Sequence, residues 1–277
     1  MDVGLLMIAG GTAAGVFGSL LGLGGGVLIV PLLTLGFGLE LREAVGVSLV
    51  SVIMTSSVAA GVYLERHVAN LQLGMRLELF TAIGALVGGS IAFLIDERLL
   101  AILFAGLLVY VAISMLRSPE VEPDGAEVGA SEPAPEPASE PAPETAGTET
   151  GGPGYVVRNM RLGIVGATGA GVLSAMLGVG GGVVKVPLMN LAMGVPLRVS
   201  TATSNLMVGI TAAASAVIYV IHGEVDPYVA GPTAIGVFIG ASLGSRVAHR
   251  IDLRILRWLF VVVLLVTAAQ MLIRVLS

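Results

Sequence analysis

The chain has 277 residues, of which 55% are hydrophobic and only 12% are charged, and its formal net charge is −5. A soluble globular domain carries about 25% charged residues, so this composition excludes that class and indicates a membrane protein. The lack of cysteine excludes a disulfide framework, a thiolate nucleophile and a cysteine-based metal site.

Eight stretches of the chain contain no Asp, Glu, Lys or Arg, and about 20 apolar residues suffice for a helix to cross the hydrocarbon core of a bilayer. Before the first stretch stands Asp2 with no Lys or Arg, unlike the basic start of a cleaved signal peptide. We therefore expect Met1 onward to belong to the first membrane element. The eight stretches are residues 3–39, 44–64, 79–95, 99–116, 162–184, 199–221, 227–245 and 258–273.

The first stretch, residues 3–39, is too long for one span. It would form a helix of roughly 55 Å at 1.5 Å per residue, nearly twice the thickness of the hydrocarbon core. Three glycines interrupt it at 24–26 and Pro31 follows, and triple glycine is a poor helix interior and a good sharp turn. We predict two short helices that meet at a glycine-rich tip, either as a re-entrant hairpin or as two tightly joined spans. A single broken helix that crosses once is the alternative.

Residues 117–159 are rich in Pro, Glu and Ala and include nine of the nineteen acidic residues. A segment with so little to bury is predicted to be a disordered, extended linker. It separates two apolar halves, 1–116 and 160–277, which align without gaps at an offset of 156. GLGGGVLIVPLL at 22–33 matches GVGGGVVKVPLM at 178–189 at eight of twelve positions. The sequence thus predicts an all-α membrane protein of two homologous repeats, each with a glycine-broken first helix pair and three further transmembrane helices.

The thirteen arginines indicate the topology, because cytoplasmic loops are enriched in Lys and Arg. If the first stretch of each half returns to its starting side, ten arginines lie on one face and three on the other. If it crosses once, the split is seven to six. The uneven split favours the hairpin, and it predicts inverted repeats in a cell (inner) membrane, with a cytoplasmic linker and both termini outside. In transporters built from inverted repeats, the binding site lies at the repeat interface near the midplane.

The two glycine tips are the first candidate for a binding site. A helix N-terminus offers unpaired backbone N–H groups and the positive end of a dipole, and glycine lets a ligand approach that backbone closely. Close helix packing is the alternative role of small residues in membranes, and we favour it for isolated glycines such as Gly84 and Gly88. The substrate-binding candidates in the tips are Gly24, Gly25, Gly26, Gly180, Gly181 and Gly182.

Lys185 is the second candidate, because it is the only lysine of the chain and lies within an apolar stretch, three residues after Gly182. A cationic side chain at the centre of a membrane helix costs about 2.5–3.5 kcal/mol, so such residues usually mark a transport pathway. The alternative is a lysine whose long stem reaches the membrane interface. We expect Lys185 to supply charge to an anion site, and Lys185→Met to insert and fold at least as well as the native chain.

Neutral polar side chains add hydrogen-bonding capacity near the tips. Ser48 and Ser204 occupy equivalent positions in the two halves, and Asn190 and Asn205 carry amides that need partners lipid cannot provide. A hydroxyl commonly bonds its own helix backbone, which is the alternative for each serine. Four glutamates outside the linker are predicted at or near helix ends, so that no buried carboxylate is expected: Glu40, Glu43, Glu65 and Glu78. The histidines show no metal-ligand spacing, and no metal, cofactor or catalytic residue is predicted.

At the duplicated GLGGGVLIVPLL and GVGGGVVKVPLM, and again over MNLAMGVPLRVSTATSNLMVGITAAASAVIYVIHGEVDP at 189–227, the sequence resembles the TauE/SafE family of sulfite exporters. The resemblance covers both halves and stops at the linker. It implies transport of sulfite, thiosulfate or an organosulfonate, in an unspecified direction, and it is compatible with proton coupling. The expected absence of a buried carboxylate equally suits a uniporter, or coupling through protonation of the substrate or of Lys185.

Together these patterns predict a secondary transporter or facilitator of a small anion, bound near the midplane between the two glycine breaks. The expected partners are that anion, protons and the lipid bilayer, with a homodimer left open and no nucleic acid. A transporter of a cation or metal ion is the first alternative, and it would need intramembrane carboxylates. A membrane enzyme is disfavoured, because no nucleophile or acid–base pair is evident. A non-transporting membrane assembly protein is the remaining alternative.

Overall fold

The computed structural model describes residues 3–20, 25–65, 69–117, 155–247 and 253–276. Over these residues the chain is built from helices, two of which continue as single π-helical turns, named π1 and π2 here. In chain order the elements are α1 (Val3–Leu20), α2 (Gly26–Pro31), π1 (Leu32–Gly36), α3 (Leu41–Glu65), α4 (Leu71–Leu94), α5 (Glu97–Arg117), α6 (Met160–Leu177), α7 (Gly182–Pro187), π2 (Leu188–Ala192), α8 (Leu197–Ile221), α9 (Pro227–Val247) and α10 (Leu253–Leu276).

The predicted all-α membrane class is confirmed. Within the described ranges, seven helices are long and apolar enough to cross a membrane. Their outer surfaces carry large apolar side chains such as Leu94, Met75 and Val165, which are 85%, 68% and 70% exposed. An exposed apolar surface of this extent is stable against lipid and not against water.

The first stretch of each half breaks at glycine, as predicted, but its two arms are unequal. The first arm, α1, has 18 residues and is long enough to cross a membrane. The second arm, Gly26–Gly36, is too short to span. The break forms because Gly25 and Gly181 adopt left-handed φ angles of 77° and 75°, which cost glycine nothing and strain other residues.

A proline shapes the second arm in both repeats. Pro31 ends α2 and Pro187 ends α7, and a π-helical turn follows each of them at once. Proline lacks the backbone N–H and clashes with the carbonyl four residues earlier, so the regular α-helical ladder cannot continue through it. The same device at equivalent positions shows that the duplicated sequence folds into duplicated local structure.

The two halves exchange their first helices. α1 packs along α9 of the second half, and α6 packs along α4 of the first. The backbones of these paired helices lie in direct contact. For example, a Cβ on Gly84 or Gly88 would overlap the backbone of Thr168 or Val172. Small residues allow this close packing in membranes, which agrees with the packing role favoured for the isolated glycines.

The equivalent helices α3 and α8 lie at the centre and pack against each other in opposite directions. The start of α3 meets the end of α8, since a Cβ on Gly46 would lie 2.7 Å from the Glu224 carbonyl oxygen. Farther along α3, Ser56 donates a hydrogen bond of 2.6 Å to the carbonyl of Asn205, near the start of α8. Both glycine turns pack against this antiparallel pair of helices.

The predicted linker, 117–159, lies almost entirely outside the described residues. Its last five residues, 155–159, are described, and two of them, Tyr155 and Val157, pack against the membrane repeats. Tyr155 accepts a hydrogen bond of 2.8 Å from the Asn70 side chain, and the Arg158 amide donates to the Met193 carbonyl at 2.9 Å. These contacts attach the end of the predicted linker to the membrane repeats.

Candidate functional site

The two glycine turns meet beside the middle of α3 and α8. Ser48 of α3 is fully buried, and its hydroxyl donates to the Gly178 carbonyl at 2.8 Å and lies 3.3 Å from the Gly26 carbonyl. One serine therefore contacts the turn of each repeat. Gly180 lies against Val52, and a Cβ there would stand 2.7 Å from a Val52 methyl group.

Two serine hydroxyls flank the second turn without a hydrogen-bond partner among the described residues. Ser204 and Ser174 are 0% and 2% exposed, and the Oγ of each lacks a partner. A Cβ on Gly182 would lie 3.6 Å from the Ser204 Oγ, and one on Gly181 would lie 3.4 Å from the Ser174 Oγ. Because an unpaired buried hydroxyl costs about 1–3 kcal/mol, two of them at one turn indicate a place for an acceptor.

Ser174 is missing from the sequence-based candidates. The sequence does distinguish this position, because the equivalent residue of the first half is Gly18 and the hydroxyl is therefore specific to the second repeat. Only the fold of α6 against the Gly181 turn distinguishes this serine from others that bond their own helix. Ser48 and Ser204, although equivalent in sequence, also differ in state, because Ser48 is bonded and Ser204 is not.

Lys185 lies in a buried polar network of three side chains. Its Nζ is 3.0 Å from the Glu78 Oε2 and donates to the Thr211 Oγ1 at 2.6 Å, and Thr211 in turn donates to the Glu78 Oε1 at 2.7 Å. Lys185 is 1% exposed, Glu78 4% and Thr211 0%. The lysine is thus inside the protein, as predicted, and it does not extend to a surface as an interfacial anchor would.

The sequence-based placement of Glu78 at or near a helix end, with no buried carboxylate, is wrong. Glu78 is the eighth residue of α4, on the same buried face as Leu77 and Thr81. The charge-free stretch begins only at residue 79, but the helix begins at Leu71, where the Asn70 side chain caps it by accepting from the Leu73 amide at 3.0 Å. The first turns of α4 therefore place Arg76 outward and Glu78 inward.

The ion pair breaks the symmetry of the duplication. At an offset of 156, Lys185 corresponds to Ile29 and Glu78 to Ala234, whereas Thr211 corresponds to another threonine, Thr55. The equivalent interface of the other half thus lacks both charges and keeps the hydroxyl. Because one charge without the other would be unpaired in a buried site, the joint loss or gain of both is what electrostatics requires.

The remaining candidates fall into two groups. The Asn190 amide donates to the Val195 carbonyl at 3.0 Å and so stabilises the connection between π2 and α8. Asn205 contributes its backbone carbonyl to the α3–α8 contact through Ser56. Gly24 lies outside the described residues. Gly25, Gly26, Gly180, Gly181 and Gly182 form the turns themselves.

Comparison with known proteins gives a consistent result. The family described as Sulfite exporter TauE/SafE matches residues 7–271. The chain is 24% identical to the probable membrane transporter protein YunE of Bacillus subtilis over 96% of both chains, and 28% identical to the probable membrane transporter protein YdhB of the same organism over 84% of this chain and 85% of that one. It is 27% identical to the probable membrane transporter protein MamO of Magnetospirillum gryphiswaldense, over 98% of this chain and 44% of MamO.

No solved structure matches the chain. The family match runs through both repeats and across the linker, so it covers the glycine turns, the buried ion pair and the helices that position them. The chain belongs to the sulfite exporter TauE/SafE family and is a multi-pass membrane transporter, not an enzyme.

Proposed function

We propose that this transporter carries a small anion, a sulfur oxyanion such as sulfite or thiosulfate or an organosulfonate, which binds at the Gly181–Gly182 turn. The observation that carries the proposal is the pair of buried hydroxyls of Ser174 and Ser204 at that turn, for which the described residues supply no hydrogen-bond partner. A hydroxyl without an acceptor in a dry site is satisfied by a ligand that brings acceptor oxygens.

The residues around the turn suit such a ligand in size and charge. The glycines leave space close to the backbone, and Lys185 follows Gly182 by three residues on the same short helix. An opposite charge contributes on the order of 4 kcal/mol at 4 Å and an effective dielectric of 20. Lys185 thus stands where it could offset the desolvation of the anion, once it is released from Glu78.

The same proposal includes the arrangement in the membrane. We infer two inverted repeats in a cell inner membrane, with a cytoplasmic linker, both termini outside and the site between the repeats. The antiparallel packing of the equivalent helices α3 and α8 supports the inversion, and the ten-to-three distribution of arginines supports the orientation.

One observation favours a second candidate function. Glu78 is a buried carboxylate, which a transporter of cations would need. Against it, the carboxylate already bonds Lys185 and Thr211, and among the described residues no three His, Asp or Glu side chains come together in a way that could hold a metal ion. The anion is the better supported cargo.

The two candidates are separated by transport into proteoliposomes of labelled sulfite, thiosulfate, organosulfonate, sodium and divalent cations. We expect uptake of a sulfur anion, and we expect Ser174→Ala/Ser204→Ala to weaken it about tenfold or more. Ser57→Ala is the matched control, because that exposed serine bonds only its own helix carbonyl at Ile53. Cation uptake without anion uptake, or an unaffected double variant, would contradict the proposal.

A further inference from the structure

We propose that Glu78 is a built-in counter-anion that must take up a proton before Lys185 can bind the transported anion, so that one proton enters the site with each negative charge of cargo. The inference rests on the proposed function and deepens it, because it assigns the coupling of the transport site to one residue. It starts from the buried network of Lys185, Glu78 and Thr211.

The network is closed in the structure. Each Glu78 oxygen has a partner, Lys185 for Oε2 and Thr211 for Oε1, and the ammonium is held from two sides. In this state the positive charge of Lys185 is already paired with the Glu78 carboxylate. A cargo anion must therefore compete with a carboxylate that is already 3.0 Å away.

Other charged groups do not compensate this pair. Among the described residues, Glu78 and Lys185 are the charged side chains that are buried. Arg76 on α4 and Arg161 on α6 are exposed, and α8, which carries Thr211, contributes Arg198, at the start of the helix. The net charge of the buried network is thus set by Glu78, Lys185 and whatever ligand enters.

The charge balance then gives the stoichiometry. Ionised Glu78 with charged Lys185 sums to zero. A monovalent anion added to this pair would leave a net negative charge in a dry site, which is costly. If the anion enters with one proton, the proton binds the Glu78 carboxylate, the ion pair between Glu78 and Lys185 is replaced by one between the anion and Lys185, and the sum is again zero.

Thr211 keeps the protonated state satisfied. The protonated Glu78 can donate to a hydroxyl, and Thr211 can accept from it, as a hydroxyl both donates and accepts. Ser204 and Thr211 lie seven residues apart on α8, on one helical face, and α7 packs along this helix from Gly182 to Lys185. The Lys185 ammonium and the Ser204 hydroxyl thus lie along one continuous contact between α7 and α8.

The asymmetry of the repeats supports a single coupling group. The equivalent interface has Ile29 and Ala234 in place of the lysine and the glutamate. It can bind neither a proton nor an anion by this exchange. Among the described residues, this exchange therefore has a single proton-binding group, Glu78.

The test uses purified protein in proteoliposomes and an organosulfonate, which stays ionised across the pH range and so cannot carry the proton itself. For the native chain we expect the affinity to rise about tenfold per pH unit of acidification while Glu78 is ionised, because one proton binds with each anion. An imposed pH gradient should drive accumulation. The Glu78→Gln variant should bind the sulfonate with the same affinity at all pH values, and it should let the sulfonate equilibrate across the membrane without accumulating it. The control variant Glu40→Gln, at an exposed site, should behave as the native chain.

A measurement on the native chain keeps the test independent of how Glu78→Gln folds. A pH-sensitive dye inside the vesicles should report one proton for each sulfonate that enters. Sulfonate uptake without proton movement, or accumulation by Glu78→Gln in a pH gradient, would overturn the role of Glu78 and leave the anion transporter intact. If no sulfur anion is transported at all, the proposed function fails first.

Discussion

Replacing Lys185 by methionine tests the buried network most directly. The substitution keeps the length of the side chain and removes the charge that lies 3.0 Å from the Glu78 carboxylate. At that distance and an effective dielectric of 20, the attraction amounts to about 5 kcal/mol, most of which offsets the desolvation of the two charges. Removing one partner leaves the other as an unpaired buried charge, which typically lowers the free energy of unfolding by about 3–5 kcal/mol.

The structure therefore reverses the expectation from the sequence that Lys185→Met folds at least as well as the native chain. For a chain of this size, 1 kcal/mol corresponds to roughly 2–4 °C in Tm, so the single variant should melt roughly 6–20 °C lower in detergent. Lys185→Met/Glu78→Gln removes both charges and should recover most of this loss. Glu40→Gln, at an exposed site, serves as the control.

The outcome separates two roles of the lysine. A double variant that is stable but binds no anion would show that Lys185 is needed for cargo and not only for folding. If Lys185→Met melts at the native temperature and the double variant gains nothing over it, the ion pair is absent from the folded protein. The charge-exchange reasoning would then have no basis.

Three further predictions concern the glycine turn, a buried hydrogen bond and the membrane topology. Gly181→Val should abolish anion transport, because its φ of 75° strains any side chain and a Cβ would meet Ser174 at 3.2 Å, whereas Gly169→Val, with open space around it, should leave uptake normal. Ser48→Ala should lower the free energy of unfolding by about 1–3 kcal/mol, measured by thermal melting, since it leaves the Gly178 carbonyl unpaired. Single cysteines at Ala134 and in the 222–226 loop should label from opposite faces of intact vesicles, with Ala134 cytoplasmic, and labelling from one face would refute the inverted repeats.

Much of the fold follows from local pattern. The charge-free stretches predict spanning helices because desolvating a charge in lipid is costly, and the glycine breaks predict turns because only glycine tolerates left-handed φ without strain. The duplication at an offset of 156 predicts that both halves break at the same place, and the structure has them there, at Gly25 and Gly181. None of these inferences needs a contact between distant residues.

The site depends on contacts that no local pattern contains. Glu78 and Lys185 are 107 residues apart and belong to different repeats, so their pairing arises only when α6 crosses to α4 and α7 lies along α8. The sequence by itself determined the membrane class, the duplicated glycine breaks and the position of Lys185 within an apolar stretch, because hydrophobicity and chain breaking are properties of single segments. Tertiary structure alone decided that this lysine faces a carboxylate, and that Ser174 and Ser204 lie beside the turn with no hydrogen-bond partner for their hydroxyls in the described part of the chain. The reason is that the direction of a side chain is set by which helix packs against it.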